Sequence, residues 1–156
     1  MTAQTRLIHA IREALGECSL TTDADQIAPF LTDWRGRFHG AAAAMLLPTS
    51  TREVATMVRL AVEHRVPLVA QGGNTSMVGG ATPPADGSAL LLSTRRLDRI
   101  RRLDAEAALA VAEAGVILQN LHEAAAEAGC RFPLTLGSRG TATIGGLVST
   151  NAGGTQ

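Results

Sequence analysis

A chain of 156 residues, 46% hydrophobic and 18% charged, suits one domain, and a globule of this length buries roughly 70% of the surface its extended form exposes. Its 14 basic and 14 acidic residues cancel, so no long-range field draws it to nucleic acid or anionic lipid. Cys18 and Cys130 stand apart and imply neither a zinc site nor a disulfide framework, and with three Phe, one Trp and no Tyr there is no stacking platform for single-stranded nucleic acid. The start, MTAQTRLIHAIREAL, lacks the apolar run of a signal peptide, and no stretch reaches the length of a membrane span. A cytoplasmic location is the resulting expectation.

Leu7, Ile8, Ile11 and Leu15 fall on one face of a helix that Gly16 would end. A second polar start follows at Asp23, Asp25 and Pro29, then Asp33-Trp34-Arg35-Gly36-Arg37-Phe38, where Trp34 is expected as a packing anchor. The second half of Ala42–Pro48 reads as a short buried strand. Ser50 with Glu53 forms a capping box, and Val54, Met57, Val58, Ala61 and Val62 continue at helical spacing, which predicts a helix over 51–64. Pro67–Ala70 is a second strand running into Gly72-Gly73, completing a strand, helix, strand unit with parallel strands. Ala89–Ser93 supplies another strand, and 97–103 and 109–112 read as short extended segments. Val116, Leu118, Leu121, Ala124, Ala125 and Ala128 make a helical stripe ended by Gly129; the region beyond reads as neither regular strand nor regular helix.

Ten of the 16 glycines lie in two windows, 72–80 and 137–154. Glycine lets backbone N–H groups approach a phosphate closely, because it has no Cβ and tolerates unusual dihedrals. In the first window Asn74, Thr75 and Ser76 add short donors, and over 66–94 the single charged residue is Asp86. In the second, Thr141, Thr143, Ser149, Thr150 and Asn151 do the same, and over 132–156 the single charged residue is Arg139. An anion held here would be neutralised by amide dipoles, which suits a diphosphate. Gly-Gly pairs also mark simple turns, but two neutral, hydroxyl-rich glycine loops on one domain favour a ligand. No GxxxxGK[ST] occurs and no GxGxxG follows the first strand, which disfavours a P-loop NTPase and a classical dinucleotide fold. His9, His64 and His122 read as helix residues; His39 and Arg139 are the side chains weighed for contact with a ligand.

The blocks DWRGRFHG (33–40), LLPTSTREV (46–54), VPLVAQGGNTSMVGG (66–80), LLLSTRRLDRI (90–100), VAEAG (111–115) and LGSRGTATIGGLVSTNAGG (136–154) run in a familiar order. In them the chain resembles the FAD-linked oxidoreductases of the vanillyl-alcohol oxidase type, with the PCMH-type FAD-binding fold. It looks most like their D-2-hydroxyglutarate and D-lactate dehydrogenase (glycolate oxidase large-subunit) group. The resemblance implies an α+β fold, the first subdomain of that fold, with a small partly parallel sheet covered by helices. It implies a helical lead-in over 1–40 and the N-terminal part of the FAD-binding domain over 41–156, with the remainder of the enzyme lying beyond.

By the same resemblance Gln71, Gly72, Gly73, Asn74, Thr75, Gly79 and Gly80 contact the FAD diphosphate, and Gly137, Ser138, Gly140, Thr141, Gly145, Gly146, Thr150 and Asn151 run beside the diphosphate, ribityl chain and flavin ring. Some relatives link flavin covalently through a His in the first loop; Asn74 and Thr75 stand there in this chain, so non-covalent FAD is implied. The implied reaction is oxidation of a D-2-hydroxy acid, hydroxyglutarate-like or lactate-like, to the 2-oxo acid. Catalytic residues and a divalent metal, zinc or manganese, belong to the absent C-terminal part, so the fragment alone is expected to be inactive. An electron-acceptor protein or quinone, peripheral membrane association through that acceptor and a homodimer are further expectations. The alternatives are another substrate on the same fold, such as glycolate or an aldonolactone, and a non-catalytic flavin-binding or structural fragment.

Overall fold

Thr2 opens the first helix by accepting the Thr5 N–H through its hydroxyl, and the computed structural model, which describes residues 1–154, runs this helix (α1) over Ala3–Leu15. Gly16, at φ 85, ends it. A 3-10 turn over Glu17–Ser19 leads into β1 (Leu20–Thr21), and Asp23 caps the one-turn helix α2 (Ala24–Ile27). Then come β2 (Met45–Leu46), α3 (Thr51–His64), β3 (Leu68–Gln71) and β4 (Leu90–Ser93). At the head of α3 the Ser50 hydroxyl accepts the Glu53 N–H at 3.2 Å. The return arm of the capping box is shifted by one residue: Glu53 accepts from the N–H and hydroxyl of Thr49 at 2.7 and 2.9 Å.

The main sheet has the order β1-β2-β4-β3, with β1 antiparallel to β2 and the rest parallel. The two strands that flank α3 therefore do not touch; β4 inserts between them. Burial explains this order. Leu90 and Leu91 are fully buried and take the centre, whereas β3 carries an exposed Ala70 and takes the edge. One face of the sheet packs Leu46 and Leu90 against Leu7 and Ile11 of α1 and Met57 and Leu60 of α3. The other packs Met45 and Leu91 against Ile27, Phe30 and Leu31. This is the α+β arrangement that the sequence implies, a small partly parallel sheet covered by helices.

Beyond the sheet lie the antiparallel hairpin β5 (Ile100–Asp104) and β6 (Leu109–Ala112), then α4 (Leu118–Glu127), with Gly129 at φ 73 just past its end. The region read as irregular holds a further short helix, α5 (Ile144–Ser149). Two glycines in six residues hide it from periodicity. It forms because Ile144 N–H donates to the Val116 carbonyl and Gly145 N–H to the Ala114 carbonyl, so tertiary contact overrides weak propensity.

The arginine cluster near residue 100 is engaged within the fold. Arg95 lies over the Phe30 ring at 5.0 Å, Arg96 donates to the Cys18 carbonyl at 2.9 Å, and Arg102 pairs with Asp104. Arg99 and Arg101 converge on Glu113, whose side chain is only 3% exposed. The Arg99 N–H and the Arg101 guanidinium, with the Arg99 side chain, outweigh the desolvation of Glu113 and hold its pKa at about 2, below its ordinary 4.5. A depressed carboxylate stabilises the fold fully above its unfolded value, and that stabilisation is lost as pH falls from about 4.5 toward about 2. Urea midpoints measured at pH 6, 4 and 3 should therefore decline in the wild type, and Glu113→Gln should lower the midpoint at pH 6 and flatten its pH dependence.

Candidate cofactor-binding site

The first glycine loop leaves the C-terminal end of β3, the side of a parallel sheet on which ligands bind. Its Gly72 and Gly73 lie directly against the second loop. A Cβ on Gly72 would run into the Thr143 hydroxyl, and one on Gly73 would run into the Thr141 carbonyl. The structure thus brings the two predicted windows together at 72–73 and 141–143. Gly145 makes a third close approach, since a Cβ there would stand 2.6 Å from the Ala114 Cβ. Gly115, by the same measure, lies against the Thr94 carbonyl and 2.8 Å from that of Leu97. The VAEAG block therefore supports the second loop from behind, a role that the sequence reading did not assign to it.

Other glycines have no protein partner that needs them. A Cβ on Gly80, Gly137 or Gly140 would point into open space, with nothing of the described residues within 4 Å. The backbone N–H groups of Gly73, Asn74, Thr75 and Ser76, and those of Gly137, Ser138 and Gly140, have no acceptor among the described residues. Thr143 is 4% exposed, and its hydroxyl is buried at the junction of the loops without a hydrogen-bond partner. Unpaired backbone donors of this kind, interleaved with glycines, are the groups that can receive an anion.

Several predicted ligand side chains are committed to the protein instead. Gln71, 3% exposed, donates through Nε2 to the carbonyls of Phe30 at 3.0 Å and Ala81 at 2.7 Å. Asn74, at φ 54, donates through Nδ2 to the Thr32 carbonyl at 2.8 Å. Gly79 turns at φ 70 under the Phe38 ring, 2.6 Å from where a Cβ would stand. The Ser149 and Thr150 hydroxyls donate back to the carbonyls of Gly145 and Gly146 at 2.7 and 2.9 Å. What Gln71, Asn74 and Thr150 can offer a ligand is backbone and shape. Asn151 is exposed at φ 47, and Ser138 accepts the Thr141 and Ala142 N–H groups through its carbonyl.

The segment supporting the first loop was legible only in part. The Asp33 carboxylate accepts N–H groups of Arg35 at 3.2 Å and of Arg37 and Phe38 at 2.7 Å each. Those bonds, the Phe38 N–H foremost, outweigh its burial and lower its pKa. The tight turn points its middle residues outward, so Trp34, expected to anchor packing, is 60% exposed with the Arg35 guanidinium 5.9 Å from its ring centre. His39 bonds to the Thr32 hydroxyl at 3.2 Å and His122 to the Leu134 carbonyl at 2.8 Å. Arg139 is exposed beside the second loop. Among the described residues no group of three or more His, Cys, Asp or Glu could hold a metal ion.

The family of FAD binding domains matches residues 42–156, which include both glycine loops. The chain belongs to this FAD-binding family. Over 143 residues it is 36% identical to the probable mitochondrial D-2-hydroxyglutarate dehydrogenase of Oryza sativa subsp. indica and 38% identical to the D-2-hydroxyglutarate dehydrogenase of Arabidopsis thaliana. Each alignment covers 92% of this chain and 25% of the relative, so the chain spans about a quarter of the length of these curated relatives. Among solved structures, an alkyldihydroxyacetonephosphate synthase superposes with a TM-score of 0.84 at 21% identity, over 96% of this chain and 32% of that one. At that identity the likeness speaks for the fold. The rice and Arabidopsis enzymes are both named as mitochondrial, which overturns the cytoplasmic expectation. That expectation leaned on the missing apolar signal, whereas mitochondrial leaders are amphipathic and arginine-rich, so an apolar run is the wrong test for them. No helix among the described residues is long and apolar enough to cross a membrane.

Proposed function

We propose that this chain is the diphosphate-gripping part of a flavin-dependent dehydrogenase that oxidises a D-2-hydroxy acid, D-2-hydroxyglutarate foremost, to the 2-oxo acid. The observation that carries the reading is the pair of glycine loops locked together at Gly73 and Thr141, with unspent N–H groups on both and open backbone faces at Gly80, Gly137 and Gly140. The matched FAD-binding family and the hydroxyglutarate dehydrogenases among the relatives support it.

The residues fit the group. The N–H groups of Gly73, Asn74, Thr75 and Ser76 would meet one phosphate and those of Gly137, Ser138 and Gly140 the other, and Arg139 is the single charged residue within the two loops themselves. Gly72, Gly79, Thr141, Gly145, Gly146, Thr150 and Asn151 set the shape of the cradle. FAD, once bound, supplies the hydride-accepting chemistry, and this chain supplies grip and orientation. Asn74 and Thr75, neither of which forms a covalent flavin bond, stand where covalent relatives carry a His, so the cofactor is held without a bond. The division at residue 40, the reoxidation of flavin by an acceptor protein or quinone, a divalent metal in the later part of the enzyme and a homodimer belong to this proposal. The test is an anaerobic visible spectrum of the protein extended to the length of its relatives. D-2-hydroxyglutarate should bleach the oxidised flavin band faster than D-lactate does; bleaching by neither acid would refute the substrate reading while leaving the cofactor in place.

A further inference from the structure

Residues 30–38 precede the 42–156 stretch that the FAD-binding family matches, yet they grip the first glycine loop at three places. At its neck, the Phe30 carbonyl and, across the loop, the Ala81 carbonyl share the Gln71 amide. In its middle, the Thr32 carbonyl holds Asn74 in a left-handed conformation, within the run of unpaired N–H groups. At its far side, the Phe38 ring lies on Gly79. Two of the tethers, from Thr32 and Phe38, flank a turn whose shape is imposed by one buried carboxylate; the third, from Phe30, is set by the 3-10 turn over Ala28–Phe30 packed on the sheet. Asp33, 3% exposed, gathers the N–H groups of Arg35, Arg37 and Phe38, while its own N–H donates to the Phe38 carbonyl at 3.1 Å and its carbonyl accepts from Gly36 at 2.9 Å.

We propose that the Asp33 turn is a clamp that positions the first glycine loop for its ligand, making Asp33 and Phe38 positioning residues of the cofactor site. The inference rests on the reading of that loop as the diphosphate cradle. Amides bind an anion well only when they already converge on it, and the loop has no ladder of its own between Gln71 and Ala81 to make them do so. Ordering accomplished before binding raises affinity. The Phe30, Thr32 and Phe38 contacts supply that order from outside the loop, and Asp33 fixes the turn from which the Thr32 and Phe38 contacts leave. Oδ1 of Asp33 accepts the two shorter bonds, from Arg37 and Phe38, and Oδ2 the longer one from Arg35. An asparagine can keep the first pair and an alanine can keep none.

The experiment is hydrogen–deuterium exchange on the full 156-residue chain, paired with FAD titration followed by flavin fluorescence, for the wild type, Asp33→Ala, Asp33→Asn and Phe38→Ala. Expected in Asp33→Ala are faster exchange at 73–80, unchanged exchange in β2 and β4, and an FAD Kd raised about tenfold or more. Phe38→Ala should loosen the 79–80 end and weaken FAD by a smaller factor, while Asp33→Asn should stay within about threefold of the wild type in Kd. Wild-type exchange and Kd in Asp33→Ala would overturn the clamp, as would loop and core protection lost together. Failure of the wild type to take up FAD overturns the diphosphate reading and the ligand named here; the exchange data then decide separately whether Asp33 orders the loop.

Discussion

Gly73→Ala is expected to abolish FAD binding and to destabilise the free protein by about 1–3 kcal/mol, the range for forcing extra atoms into a packed site. The new methyl group would collide with the backbone carbonyl of Thr141, which cannot rotate aside, and would also press on the Ala142 nitrogen at 3.2 Å. Relief requires the loops to part, which scatters the N–H groups on both. Gly137→Ala and Gly140→Ala are the matched controls. Each adds a methyl group in open space, so the free protein should keep its stability within about 0.5 kcal/mol. Their effect should fall on the bound state alone, where the methyl group occupies the volume of the ligand. Urea denaturation and FAD titration of the three variants side by side check this. Equal destabilisation by all three would mean that the contrast between locked and open glycines has no energetic content.

Deletion of residues 1–16 is expected to remove cooperative unfolding altogether. Leu7 and Ile11 of α1 are fully buried, and they cover Met57 and Leu60 of α3 in the same cluster as Leu46 and Leu90. Each of the two lost side chains contributes about 1.5–3 kcal/mol through burial, and the partners that they cover lose theirs as well. For a domain whose net stability is about 5–15 kcal/mol, that loss leaves little. A sigmoidal thermal transition in the deletion variant, close to that of the full chain, would show instead that α1 is dispensable to the rest of the fold.

Wherever a local signal specifies an element, the sequence suffices to place it. The Ser50 cap and the apolar stripe from Val54 to Val62 define α3 over the predicted 51–64, and Gly16 and Gly129 mark helix ends through positive φ. The strand at Leu90–Ser93 is legible because three leucines in a row have no other place than the sheet centre. What escapes is set by distant contact. The strand order depends on which run is the most buried, a comparison that no single window contains. Helix α5 depends on carbonyls of Ala114 and Val116, far from it in sequence. At the site, glycine density locates both loops but not the reason for each glycine. Gly73 meets protein and Gly137 meets nothing, and composition treats them alike. Gln71 and Asn74 look like ligand donors in sequence because they flank the glycines, yet their side chains fasten the loop to Phe30 and Thr32. Trp34 reads as a packing anchor yet lies at the surface, and Asp33, to which the sequence assigns no role, shapes the turn.

Calorimetric titration of the 156-residue chain with FAD, with FMN and riboflavin in parallel, tests the central claim most directly. One-site binding of FAD, with FMN much weaker and riboflavin undetectable, is the predicted result, because the cradle is built for two phosphates. Equal affinity for all three, or no heat with any of them, would contradict it.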